Sequence, residues 1–204
     1  ADMSDPESGR FYQSMQEKVT DIATQLLFFT LEINKIDDPT MKKKLANNDL
    51  AKYEPWLRDI RALRPHQLSD DMERLLLEKQ VVGKSAWVRL FDETMADLRF
   101  EVELITGTKT YTSAEVFNLL SDKSNLIRKA AAISIGKVLA DNARVFTLIT
   151  NTLAKDKEVE DKWRHFKEPV SSRNLSNFVE DDVVDALVTS VKERFPDLSH
   201  RYYA

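Results

Sequence analysis

From Phe11 onward, apolar side chains recur at Met15, Val19, Ile22, Leu26, Phe29, Ile33 and Ile36, in steps of four, four, three, four, three, four and three. That is the period of one helix face. A half-buried strand would alternate at every second residue. Leu27, Phe28 and Leu31 widen the face, which predicts a long helix covered on two sides. The 204 residues include only four Gly and six Pro, too few for the many tight turns of an all-β fold. The expected class is all-α, mainly helical, with one short β-hairpin near 99–111, arranged as a multi-helix bundle.

The rest of the chain carries its own punctuation. Asp37-Asp38-Pro39 ends the first helix and opens a short one over Met41–Ala46, followed by a turn at Asn47-Asn48-Asp49. Pro55 suits the first turn of a helix running to Leu63, stopped by Arg64-Pro65. Ser69 reads as an N-cap, with Asp70, Asp71 and Glu73 in the positive first turn. A helical pattern then runs to Leu98, with Gly83 marking a kink or break. Phe100, Val102 and Leu104 alternate with Glu101 and Glu103, and Thr106-Gly107-Thr108 reads as the turn of a hairpin. Thr112 with Glu115 forms a capping box. Ser124–Leu153 predicts a second long helix, whose small-residue centre, Ala130–Gly136, places it in the middle of the bundle. A charged helix is expected over Lys155–Phe166, a loop over Pro169–Asn174, and a helix from Asn177 to about Phe195. Pro196 should interrupt that helix before another begins at Leu198.

The 42% hydrophobic and 31% charged fractions are those of a globular chain able to bury a core. The net charge is −4 with the signs interspersed, unlike a nucleic-acid-binding face. Cysteine is absent, so there is no disulfide framework and no thiolate metal site. The start, Ala1-Asp2-Met3-Ser4-Asp5, carries no leader pattern, and Ile22–Ile33 is too short and too polar to span a bilayer. The expected location is cytoplasmic.

The search for chemistry returns little. A helical zinc peptidase uses two His four residues apart with a Glu beside the first as general base. The three histidines, His66, His165 and His200, are scattered, and none begins His-Glu-x-x-His. Asp161, His165 and Glu168 would share a face if the helix continued, but a surface salt-bridge cluster is the preferred reading. Gly83-Lys84-Ser85 resembles the end of a P-loop, yet the motif's first Gly is replaced by Glu78 and a helical pattern precedes it. Asp70-Asp71 and Asp181-Asp182 fit first-turn charges better than an acid–base pair. Trp56, Trp87, Trp163, Phe91, Phe146 and Phe166 are assigned to core packing. No catalytic and no metal residue is assigned.

Several strings carry a family likeness. Arg64-Pro65-His66-Gln67-Leu68-Ser69, Ala86-Trp87-Val88-Arg89-Leu90-Phe91-Asp92-Glu93-Thr94, Asp161-Lys162-Trp163-Arg164, Ser172-Arg173-Asn174-Leu175-Ser176-Asn177 and Leu198-Ser199-His200-Arg201-Tyr202-Tyr203 resemble the front part of oligoendopeptidase F-like proteins, in order and over nearly the whole chain. That family is similar to the thimet-type oligopeptidases. The resemblance implies cytoplasmic zinc enzymes that hydrolyse short peptides inside a closed helical shell. It places the zinc and its ligands in a C-terminal catalytic domain outside these residues, and it implies that the family's first segment is also missing. On this reading the chain alone is inactive, and its partners are the missing catalytic domain and, in the full-length parent, short peptides. The expected organisation is a helical segment at 1–98, a hairpin plus helical segment at 99–175, and at 176–204 the first helices leading into the metallopeptidase domain, the three able to pack as one. The uncapped end at Ala204 points to a fragment. Arg173, Asn174, Tyr202 and Tyr203 are the candidate peptide-binding residues, set in a loop and at an open chain end. The alternative is a stand-alone helical protein-interaction module without catalysis.

Overall fold

A computed structural model describes residues 5–203. The leaderless start read at Ala1–Ser4 and the chain end at Ala204 lie outside them. The expected class holds: the described residues are mainly helical, and their strands form one antiparallel hairpin. No helix among them is long and apolar enough to cross a membrane. The chain divides into two compact units, one made of residues up to Gln25 and Arg74–Asp156, the other of Leu26–Glu73 and Lys157 onward.

The first unit is built around the hairpin. Strand β1 (Phe100–Leu104) pairs with β2 (Gly107–Tyr111) in the register Phe100↔Tyr111 to Leu104↔Gly107. The loop is therefore Ile105-Thr106, shorter than the Thr106–Thr108 turn expected. Gly107 pairs inside β2 at φ +116, a backbone that a side chain would strain. The alternation works as read: Phe100 and Val102 are fully buried, while Glu101 and Glu103 face water. Helix α7 (Ser113–Leu119) begins with the expected capping box, Thr112 and Glu115 satisfying each other's amides, and buries Val116 on the same core.

Helix α8 (Asn125–Asp141) lays Ala131 and Ile135 against Phe100 and Val102. Its small residues therefore admit a strand, whereas the sequence suggested neighbouring helices. The long helix expected over Ser124–Leu153 is two helices. Asn142 ends α8 with a backbone outside helical values, returns its side-chain amide to the Val138 carbonyl at 2.9 Å, and starts α9 (Ala143–Trp163) with its own carbonyl. The charged helix expected from Lys155 is the continuation of α9. Gly83 does break the helical run, into α5 (Asp70–Lys79) and α6 (Lys84–Asp97). Its amide donates to the Lys79 carbonyl at 2.8 Å, and a Cβ there would lie 3.0 Å from that oxygen, so glycine fits the sharp join.

The second unit starts with the last third of α1 (Pro6–Lys35), where Leu31, Ile33 and Asn34 are buried. Helix α2 (Asp38–Leu45) is N-capped by Asp37, which accepts from the Thr40 amide at 2.7 Å, and buries Met41. Asn47, expected in a turn, caps the single turn α3 (Asn48–Ala51). Helix α4 (Glu54–Ala62) carries Pro55 in its first turn and ends in a 3₁₀ turn at Arg64–His66. From α4, Arg61 donates to the Ile33 and Ile36 carbonyls at 2.9 and 2.7 Å and pairs with Asp38, supplying donors that the end of α1 lacks. Pro169–Asn174, expected as a loop, is partly helical, because α10 spans Ser171–Ser176. Asn177 ends α10, and Glu180 takes the N-cap position of α11 (Asp181–Arg194). Pro196 widens the helix without ending it: Pro196–His200 forms a π-helical turn in which the His200 amide reaches the Phe195 carbonyl at 2.9 Å, and α12 (Arg201–Tyr203) follows.

Candidate functional site

Two polar constellations stand out, both in the second unit. The first joins the segment before α5 and the first turn of α5 to the residues at and just beyond the end of α9. The Arg164 guanidinium donates to both oxygens of the Glu73 carboxylate, at 2.7 and 3.0 Å, and also to the Glu160 carboxylate at 2.7 Å and the His66 carbonyl at 3.2 Å. Glu73 also accepts from the Leu68 amide at 2.8 Å. His66 Nδ1 lies 2.8 Å from the Arg164 carbonyl, which can only accept, so that nitrogen carries the proton. The His66 ring stacks on Phe166 with centroids 3.9 Å apart. Burial would raise the Glu73 pKa, but the Arg164 hydrogen bonds, the Leu68 amide and the Arg164 charge outweigh it and hold the carboxyl below its ordinary value. The same bonds push Arg164 upward, against burial. Two carboxylates share the one Arg164 guanidinium, so this cluster ties chain segments together.

The second constellation contains two of the predicted site residues. Asn174 is buried at 5% exposure and donates to Asp181 Oδ1 at 2.7 Å, while Ser171 donates to Oδ2 at 3.0 Å. These bonds, Asn174 first, lower the Asp181 pKa. Arg173, next to Asn174, is exposed. Tyr202 and Tyr203 stand at 82% and 84% exposure with their rings edge to face, 5.0 Å between centroids. Thus the structure pairs Tyr202 with Tyr203 and binds Asn174 to Asp181, while Arg173 is exposed.

A resident zinc does not fit these residues. No group of three or more His, Cys, Asp or Glu side chains among the described residues is placed to hold a metal ion. Asp161, His165 and Glu168 do not share a helix face, because α9 ends at Trp163 and His165 takes a left-handed backbone with φ 59. Asp161 is instead bound by Lys157 at 2.5 Å. The aromatics assigned to the core divide: Trp87, Phe146 and Phe166 are half-buried, whereas Trp56, Phe91 and Trp163 are exposed, although Phe91 still meets Phe146 edge-on at 5.6 Å. The Glu73–Arg164 pair escaped the sequence reading because its partners lie 91 residues apart and no local pattern links them.

The profile of the family described as Oligopeptidase F matches residues 32–100. Oligopeptidase PepF of Bacillus subtilis is 27% identical across 98% of this chain. This chain is homologous to oligopeptidase F. Group B oligopeptidase PepB of Streptococcus agalactiae is 23% identical across 94% of it. The crystal structure of oligoendopeptidase-F from Enterococcus faecium superposes with a TM-score of 0.82 over 98% of this chain at 21% identity, a likeness of fold. The chain spans only 31% of PepF, 33% of PepB and 40% of the Enterococcus faecium chain. The oligopeptidase F likeness thus reaches along the whole chain but over a minority of each relative.

Proposed function

We propose that this chain forms a non-catalytic helical part of a zinc-dependent oligoendopeptidase, a wall that encloses short peptides while a separate catalytic domain supplies the metal. The observation that carries this reading is the match to PepF over 98% of the chain and 31% of PepF, in a sequence without His-Glu-x-x-His. The missing catalytic domain is the first partner, short peptides the second. The zinc, when bound there, would activate water for peptide hydrolysis. The wall's own contribution is physical: fixed helices restrict a peptide's freedom and limit the water around it. Arg173 and Tyr203 offer an exposed cation and an exposed aromatic face for peptide contact, while Tyr202, also a candidate, would act by holding the Tyr203 ring edge to face. Asn174, also a candidate, would act by holding Asp181, since its amide is already committed there. A cytoplasmic location belongs to the same proposal.

A chimera tests it. In Bacillus subtilis PepF the matching region is replaced by this chain, with PepF lacking the region as control. The proposal expects the chimera to hydrolyse short peptides and the deletion to be inactive. A chimera that melts cooperatively yet hydrolyses nothing contradicts it.

A further inference from the structure

Helix α11 is tied to the rest of its unit at its first residue, through Asp181. Beyond that point every residue to Leu198 except Val184 is exposed. The exposed surface is not polar all round. Val183, Leu187, Val191, Phe195, Leu198 and Tyr202 recur in steps of four, four, four, three and four, and are between 40% and 82% exposed. The π-helical turn at Pro196–His200 keeps the chain helical, so the stripe passes from α11 into α12. A lone amphipathic helix draws most of its stability from packing its apolar face, and contiguous exposed apolar surface marks an interaction site.

The relatives have chain beyond the matched region that is available to cover the stripe. PepF is matched over 31% of its length and the Enterococcus faecium chain over 40%, so most of each relative lies outside the matched region. We infer that the Val183–Tyr202 stripe is the seam against which the remaining part of an oligopeptidase F-type polypeptide packs. The inference rests on the proposed function and adds the surface that joins wall to catalytic part. Asp181, held by Asn174 and Ser171, then serves to fix the start of α11 against α10.

The test introduces Leu187→Asp with Val191→Asp into this chain and at the matching positions of full-length PepF. Thermal unfolding and light scattering are measured on each protein and its variant. The inference expects this chain's melting temperature to move by less than about 2 °C, because an exposed side chain has little packing to lose. PepF should fall by more than about 8 °C, because buried charge would face the seam. An unmoved PepF overturns the seam. An equal fall in this chain means the stripe is its own core, and also overturns it. A dimer of this chain that the variant splits assigns the stripe to a second copy and overturns it too. Hydrolysis is not read, so failure of the peptidase reading is detected separately by the chimera.

Discussion

Glu73 and Arg164 show how single residues hold distant chain together. Both side chains are less than one-fifth exposed, so removing either leaves the other's charge poorly solvated. Glu73→Gln is predicted to destabilise the fold by about 2–4 kcal/mol, read from urea denaturation. The acid response has a definite sign. The folded carboxyl sits below its ordinary 4.5, so its stabilisation is complete above that pH and is lost as pH falls through the folded value. Melting curves from pH 6 down to pH 3 should therefore fall less steeply for Glu73→Gln than for the parent; equal slopes would contradict the pairing. His165 gives a prediction of the opposite sense. It closes α9 in a left-handed backbone at φ 59, with the Phe166 amide on the Asp161 carbonyl at 2.9 Å. That position favours glycine, so His165→Gly should stabilise by about 0.5–1 kcal/mol. A loss of stability would show that the His165 ring does more than occupy the turn.

Elements respond according to which face they bury. Phe100 is fully enclosed by α7 and α8, so Phe100→Ala should cost about 3–5 kcal/mol, whereas Leu187→Ala, on an exposed face, should change stability by less than about 0.5 kcal/mol. Similar costs at the two positions would refute the assigned core. Thr112→Ala removes the N-cap of α7 and should cost about 1 kcal/mol, visible as a lowered urea midpoint. The hairpin, this cap, the Asp37–Pro39 boundary and the Gly83 break were legible because each depends on neighbouring residues. The division of α8 from α9 was not, since Asn142 carries no strong stop signal and the apolar period continues across it. Asn177 read as a helix start, yet the chain uses Asn177 to close α10. Pro196 read as an interruption because the π-helical turn that accommodates it has no sequence signature.

At the scale of the whole molecule, apolar periodicity reported where helices form but not what covers them. The face of α1 that fixed the fold class buries Leu31 and Ile33, yet leaves Phe11, Val19, Ile22, Leu26 and Phe29 more than half exposed. Periodicity marks a face for burial without saying whether the cover lies in the same 204 residues. The candidate site was legible as residue types alone: Asn174 turned out to be a buried strut, while Tyr202 and Tyr203 stayed in solvent. The account's central claim is a helical wall whose chemistry is supplied from elsewhere. It is tested most directly by incubating the pure chain with quenched fluorescent peptides in the presence of zinc, with and without chelator. The account predicts no hydrolysis above the buffer rate in either sample; chelator-sensitive cleavage by the chain alone would contradict it.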